Sequence, residues 1–284
     1  MELIGHPALA RLHPTHDPHV ERPERVTVLY ERFADFSEGR AATREHVGRV
    51  HDLEYVQAIE RLDVDVLLDP DTYAGPTTWE ATLLAAGCSI EAVEREGFAL
   101  VRPPSHHALP DRAMGFCIFD NVAIAARHAQ AELGLERIAI VDFDVHHGNG
   151  TEAIFRHDAS VLFVSLHQWP FYPGTGGPGT SDELTLNVPL PAGSGDDVYV
   201  QAFEEEVEPA VGEFNPDLVL VSAGFDAHEA DPMGNMRLTA DGFRELARRC
   251  AALGPRTAAV LEGGYNLETL PDLVAAALDG FEAA

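Results

Sequence analysis

The sequence predicts an α/β fold, with a largely parallel central sheet and helices on both faces. Three observations carry that expectation. Short apolar runs alternate with stretches of helical spacing, as crossover connections between parallel strands require. The run at Ile138-Ala139-Ile140-Val141 is continuously apolar, which marks a strand buried on both faces. Each run then ends in histidine, carboxylate or tyrosine, and open α/β sheets bind ligands at the carboxyl ends of their strands.

Taken in order, His13-Pro14-Thr15-His16-Asp17-Pro18-His19-Val20-Glu21-Arg22-Pro23-Glu24-Arg25 reads as an ordered loop entering a helix. Its histidines and His6 are irregularly spaced, which suits surface or hydrogen-bonded roles better than metal ligation. Helical patterning covers 45–62 and 77–96, where Trp79, Leu83, Leu84 and Ile90 recur near helical spacing. Between them Asp69-Pro70-Asp71-Thr72-Tyr73-Ala74-Gly75-Pro76 is turn-rich, either a plain connection or part of a site rim. A strand at 98–102 stops at Pro103-Pro104 and delivers Ser105-His106-His107. A helix at 121–133 leads into the central strand, which runs into Asp142-Phe143-Asp144-Val145-His146-His147-Gly148-Asn149-Gly150. Strands follow at 161–166, 218–222 and 258–261, with helices between 197 and 214, between 240 and 253, and after 268.

The 284 residues suffice for one large domain spanning 1–284, with no visible linker. Lys+Arg is 19 against Asp+Glu 47, a formal charge of -28, and every basic residue is arginine. Such a surface repels nucleic acid and anionic membranes and strains the compact state unless counterions screen it. The expected setting is the salt-rich cytoplasm of a halophile. The absence of lysine excludes Schiff-base chemistry. Cys88, Cys117 and Cys250 are far apart, which argues against a disulfide framework or a thiolate zinc site. No secretory signal, membrane-spanning run or internal repeat is visible.

Right-handed crossovers bring the strand ends to one edge, where His106, His107, Asp142, Asp144, His146, Asp226 and Tyr265 converge. Asp142, Asp144 and His146 lie at spacing two and share one side if the extended conformation persists. Buried together, these groups call for a cation. The simplest division gives it Asp144, His146 and Asp226 and leaves an open position for water or substrate, the mark of a catalytic site. That donor set suits zinc, and also ferrous iron, cobalt or manganese. Tyr265 then donates to a developing oxyanion, and His106 and His107, each able to titrate near neutrality, carry protons. Asp142 is the expected partner of His106 and raises its basicity. Asn149 is the expected partner of His107 and leaves it nearer an ordinary imidazole. Metal-assisted hydrolysis of a carbonyl substrate follows, with His107 taking the proton of water.

The runs Arg102-Pro103-Pro104-Ser105-His106-His107-Ala108, Asp142 to Thr151, Tyr172-Pro173-Gly174-Thr175-Gly176, Ala223-Gly224-Phe225-Asp226-Ala227-His228 and Leu261-Glu262-Gly263-Gly264-Tyr265-Asn266 match in order and spacing a known pattern. Together they resemble the histone deacetylase family, especially its class II-like bacterial and archaeal members, which are related to acetylpolyamine amidohydrolases. The resemblance implies a three-layer arginase/deacetylase fold, zinc on Asp144, His146 and Asp226, the His106–His107 pair as acid and base, and Tyr265 at the oxyanion. It implies an acyl-lysine tunnel walled by Gly115, Phe116, Tyr172 and Gly264. It further implies a structural potassium ion held through the backbone of Asp142, Asp144 and His146, with Ser165 and Leu166 on the next strand. Val20 departs from the family's usual proline, and little strand precedes that loop. Tyr265 matches the active type, where some relatives carry histidine.

The substrate class stays open among acetyl-lysine in proteins or peptides, acetylated polyamines and other acyl amines. A two-metal ureohydrolase is the nearest rival, but Gly148, two residues past His146, withholds a carboxylate from a second ion. A non-catalytic binder of acyl-lysine or polyamines is the other. From the charge balance, the melting temperature rises as potassium chloride is added; a thermal melt that does not respond to salt overturns the halophile expectation.

Overall fold

Residues 1–15 and 18–284 are described in a computed structural model; His16 and Asp17, part of the N-terminal histidine-rich run, lie outside the described residues. The strands, in chain order, are β1 (Leu3–Gly5), β2 (Ser37–Glu38), β3 (Val66–Leu67), β4 (Tyr73–Ala74), β5 (Phe98–Ala99), β6 (Ile138–Asp142), β7 (Val161–Gln168), β8 (Thr185–Leu190), β9 (Leu218–Ala223) and β10 (Thr257–Leu261). Eight of them form one sheet in the order β2-β1-β5-β10-β9-β6-β7-β8. All its pairings are parallel, and β3 and β4 make a separate antiparallel hairpin.

The continuous apolar runs work because both faces of the sheet are covered. Ile138 and Ile140 point to one face, together with Val161, Phe163, Leu218, Leu220, Ala258 and Val260. There they meet the small side chains of the helices Thr78–Arg95 and Asn121–Leu133, including Ala81, Ala85, Ala92, Ala125 and Ala129. Ala139 and Val141 point the other way with Leu162, Val164, Val219, Val221, Ala259 and Leu261. That face is packed by Tyr199, Phe203, Phe243, Leu246, Val274 and Phe281 from the helical segments at 196–214, 240–252 and 270–282. Each fully buried Val, Leu, Ile or Phe contributes about 1.5–3 kcal/mol, so the layered arrangement is held chiefly by this two-sided burial.

Several elements differ from the sequence expectation. The helix expected over 45–62 is two, Arg44–Gly48 and Leu53–Glu60. The intervening residues bond elsewhere: Asp52 N donates to Pro110 O at 2.8 Å, and His51 Nδ1 meets Leu109 O at 3.0 Å. The strand expected over 98–102 pairs only at Phe98–Ala99, because the chain beyond leaves for the Pro103-Pro104 turn. The edge strand β8 was not expected from a segment carrying Asn187 and Pro189, yet an edge tolerates a residue with no N–H to offer. The three cysteines are free thiols, and all are buried.

Around the described part of the N-terminal loop, the histidines hydrogen-bond. His13 Nδ1 meets Thr78 Oγ1 at 2.9 Å, and His19 meets Glu21 O and Asp71 O at 2.7 and 3.1 Å. The loop is fixed by a buried ion network. Arg102 donates to both carboxylate oxygens of Glu21 at 2.9 and 2.7 Å and to the carbonyls of Leu12 and His13 at 2.8 and 2.9 Å. Arg25 approaches the same Glu21 at 3.5 Å. Burial opposes ionisation of Glu21, but the two arginines prevail and hold its pKa at about 2. A depressed carboxylate pKa adds stability above the unfolded value and loses it as pH falls through the folded value. Glu21→Gln therefore destabilises at neutral pH by about 3–5 kcal/mol, having stranded buried charge. Denaturant titration is expected to show the gap to the unsubstituted protein narrowing as pH falls from about 4.5 towards 2.

Candidate active site

The neighbouring strands β5, β10, β9 and β6 point their carboxyl ends at one place. β6 ends at Asp142, so the extended conformation does not persist to His146. Instead the loop is folded by its own acids and by one from the β9 end: Asp142 Oδ1 accepts from Asp144 N at 3.0 Å, Asp144 Oδ1 from His146 N at 2.9 Å, and Asp226 Oδ1 from Val145 N at 2.8 Å. Asp144 Oδ2 accepts from Gly263 N at 2.8 Å, which joins the β10 end to the same loop.

This folding gathers Asp144, His146 and Asp226, each buried, with one ligand atom apiece lying within 4.8 Å of the others. His146 Nδ1 is 3.0 Å from Asp144 Oδ1 and 3.1 Å from Asp226 Oδ2. Among the described residues no hydrogen bond reaches the buried Asp226 Oδ2. Two carboxylates and an imidazole converging on an unsatisfied buried oxygen fit a divalent cation, whose charge offsets the cost of burying them. The backbone leaves room for this only at glycine. A Cβ on Gly224 would stand 2.1 Å from Asp144 Oδ2, and one on Gly263 would stand 2.1 Å from Asp226 Oδ2.

The histidine pair follows β5. His106 Nδ1 lies 2.8 Å from Asp142 Oδ2, and its Nε2 is 3.7 Å from Asp144 Oδ1. His107 Nδ1–H donates to Asn149 Oδ1 at 2.8 Å. Burial opposes a charge on His106, but Asp142 and Asp144 outweigh it and raise its pKa well above the ordinary imidazole value. Burial, then the charges of His106 and His146, press His107 well below that value. The expectation of a near-ordinary His107 is corrected here: Asn149 favours protonation, and desolvation overrides it. Burial raises the Tyr265 hydroxyl well above the usual phenol range, so it stays protonated as a donor.

A cavity of about 160 Å³ opens onto these groups, lined by Asp71, His107, Gly115, Phe116, His146, Phe171, Tyr172, Met233 and Tyr265. Phe171 stacks on His146, with ring centroids 5.4 Å apart, and the Tyr172 ring stands edge-on to His107 at 5.2 Å. Gly264, expected in the wall, does not line the cavity; a Cβ there would face Leu270 and Phe225. Phe171, Met233 and Asp71 line it instead. Phe171 directly precedes the Tyr172-to-Gly176 run singled out in the sequence, and Asp71 lies in the turn-rich loop. Met233 carried no sequence signal. Ser165 and Leu166 are buried in β7, and Ser165 pairs with Asp142 across β6 and β7. Gly148 offers no carboxylate, and a Cβ there would stand 2.4 Å from Asp142 Oδ2.

The pattern of the histone deacetylase domain matches residues 19–281. Histone deacetylase 14, chloroplastic, of Arabidopsis thaliana is 46% identical over 275 residues, covering 86% of this chain and 64% of that protein. A probable deacetylase of Archaeoglobus fulgidus is 39% identical over 302 residues, covering 95% and 84%. The human polyamine deacetylase HDAC10 is 39% identical over 290 residues, covering 90% and 43%. The crystal structure of the HDA15 HD domain superposes with a TM-score of 0.92 at 35% identity, over 99% of this chain and 88% of that one. The fold is the arginase/deacetylase fold. The chain belongs to the histone deacetylase family. It spans 64% and 60% of the length of the chloroplastic plant relatives in Arabidopsis and rice. No helix among the described residues is long and apolar enough to cross a membrane.

From the ligand cluster, elemental analysis is expected to find one divalent cation per chain, and Asp226→Ala to lose most of it. Two tightly held ions per chain would restore the ureohydrolase reading.

Proposed function

We propose that this chain, acting as one catalytic domain over 1–284, hydrolyses acyl amides, removing acetyl or related acyl groups from lysine side chains of proteins or peptides. The observation that carries the reading is that Tyr265, His107 and the ligand His146 line a single slot with apolar rings along its wall. An acyl-lysine stem suits such a slot, being apolar along its length and polar only at the amide.

Asp144, His146 and Asp226 are the proposed holders of zinc, with ferrous iron, cobalt or manganese as alternatives. When bound, the cation polarises the substrate carbonyl and makes water easier to deprotonate. His107, its Nδ1–H occupied by Asn149, presents Nε2 as the base that takes a proton from the attacking water. The hydroxyl of Tyr265 donates to the oxygen that becomes negative as water adds to the carbonyl carbon. A histidine of the pair returns a proton to nitrogen as the C–N bond breaks, leaving carboxylate and amine. His106 is the one kept charged by its carboxylate neighbours. Potassium is proposed as a structural ion at the backbone of Asp142, Asp144 and His146 with Ser165 and Leu166. The charge balance supports a salt-rich cytoplasmic setting.

A second substrate reading, acetylated polyamines, draws on the likeness to the human polyamine deacetylase and on Asp71 at the cavity lining, a carboxylate able to attract an ammonium group. Metal-loaded protein assayed in high salt against acetyl-lysine peptides and acetylpolyamines in parallel separates the two. Tyr265→Phe is expected to lower kcat by about 10²–10³ while calorimetric affinity for the acetyl-lysine peptide is retained. Unchanged turnover removes Tyr265 from the mechanism.

A further inference from the structure

We propose that Glu262 is a positioning residue of the hydrolytic site: its carboxylate braces the turn bearing His106 and His107 against the strand end that leads to Tyr265. The inference rests on the role given to His106 above.

Glu262 directly follows β10 and is wholly buried. Its Oε2 accepts from Ser105 N at 2.5 Å and from His106 N at 3.2 Å. Its Oε1 accepts from the Ser105 hydroxyl and, at 3.3 Å, from the Ser222 hydroxyl near the end of β9. The backbone of Glu262 is already accounted for. Its N–H donates to Ala223 O at 2.9 Å, and its carbonyl accepts from Arg25 Nη2. Arg25 Nε also donates to Gly264 O at 2.7 Å, and its guanidinium lies 4.7 Å from the Tyr265 ring centroid. The side chain is therefore not needed to hold its own strand; three of its four donors belong to the Ser105–His106 backbone and the Ser105 hydroxyl.

That turn has need of an acceptor. Pro103 and Pro104 have no N–H, so Ser105 and His106 carry its first two backbone donors, and both end on Glu262. The His106 ring is then held at Nδ1 by Asp142 and its backbone by Glu262, from two different strand ends. Without the brace the ring keeps its tether to Asp142, and the turn keeps the bonds its carbonyls accept, from Gly150 N and Thr151 N to His106 O and from Asn121 Nδ2 to Pro103 O. Its two leading N–H groups lose their acceptor, however, and the turn can shift. A displacement of about 1 Å at such a group costs roughly 10²-fold in rate. Burial, against the opposing charge of His106, raises Glu262 to about 8, so a neutral amide is a close substitute at this position.

The test measures kcat and KM for an acetyl-lysine peptide on metal-loaded protein in high potassium chloride, with metal content and melting temperature recorded for each variant. Glu262→Ala is expected to lose roughly 10²-fold in kcat with KM and metal content unchanged, and Glu262→Gln to recover most of that loss. Because Glu262 acts through His106, adding Glu262→Ala to His106→Ala is expected to cost little more than His106→Ala alone. A Glu262→Ala enzyme at full rate beside a slow His106→Ala enzyme overturns the inference alone. Losses that multiply in the double variant, or loss of metal in place of kcat, also overturn it. A fast His106→Ala enzyme takes down the underlying reading as well. Should Glu262→Ala not fold, Ser105→Ala with Ser222→Ala removes both hydroxyl partners. A kcat loss there that vanishes in the His106→Ala background supports the brace, and an unchanged kcat overturns it.

Discussion

Acidic groups gathered in a wholly buried place govern this molecule. Asp142, Asp144, Asp226 and Glu262 are each wholly buried at the carboxyl edge of adjoining strands. Carboxyl groups cannot stay there without partners, and each finds a different remedy. Asp142 takes an imidazole, Glu262 takes backbone and hydroxyl donors, and Asp144 takes the N–H of His146 and of Gly263. Asp226 keeps one oxygen with no hydrogen bond among the described residues, which fits the cluster to a cation. Much of the surrounding architecture serves to bring these groups together while keeping water out.

Much of the sheet could be read from the sequence because its central strands obey one rule: apolar at every position, then abruptly polar. Ile138 to Val141 meet that rule on both faces, so β6 was legible, and so was the convergence of residues at its end. Where pairing depended on context, the reading failed. His51 and Asp52 look helical in isolation and spend their hydrogen bonds on Leu109 and Pro110, which lie far along the chain. β8 carries residues that argue against a strand anywhere but at an edge, and sequence alone does not say which strand is the edge.

The site shows the same division. Asp144, His146 and Asp226 stand at strand ends with ligand chemistry, and their meeting follows from topology. The cavity lining does not. Met233 reaches it from a loop whose shape depends on Asp231, which accepts from Met233 N at 2.9 Å and from Tyr265 N at 2.6 Å. The basicity of His107 was misjudged because hydrogen-bond partners were readable and the degree of desolvation was not. Glu262 stood in view within a recognised motif, yet the donors that define it lie more than 150 residues earlier in the chain.

The order of the strands has a consequence for how such a protein diverges. β5, β10, β9 and β6 are contiguous in the sheet, and the proposed ligands, proton carriers and tyrosine all follow them. The outermost members, β2 and β8, carry none of these residues. Insertions or appended modules at β2 stand clear of the proposed ligands, whereas the connection from β7 into β8 brings Phe171 and Tyr172 onto the cavity. A change of surroundings at the β2 margin can thus accumulate while the inner four strands stay as they are.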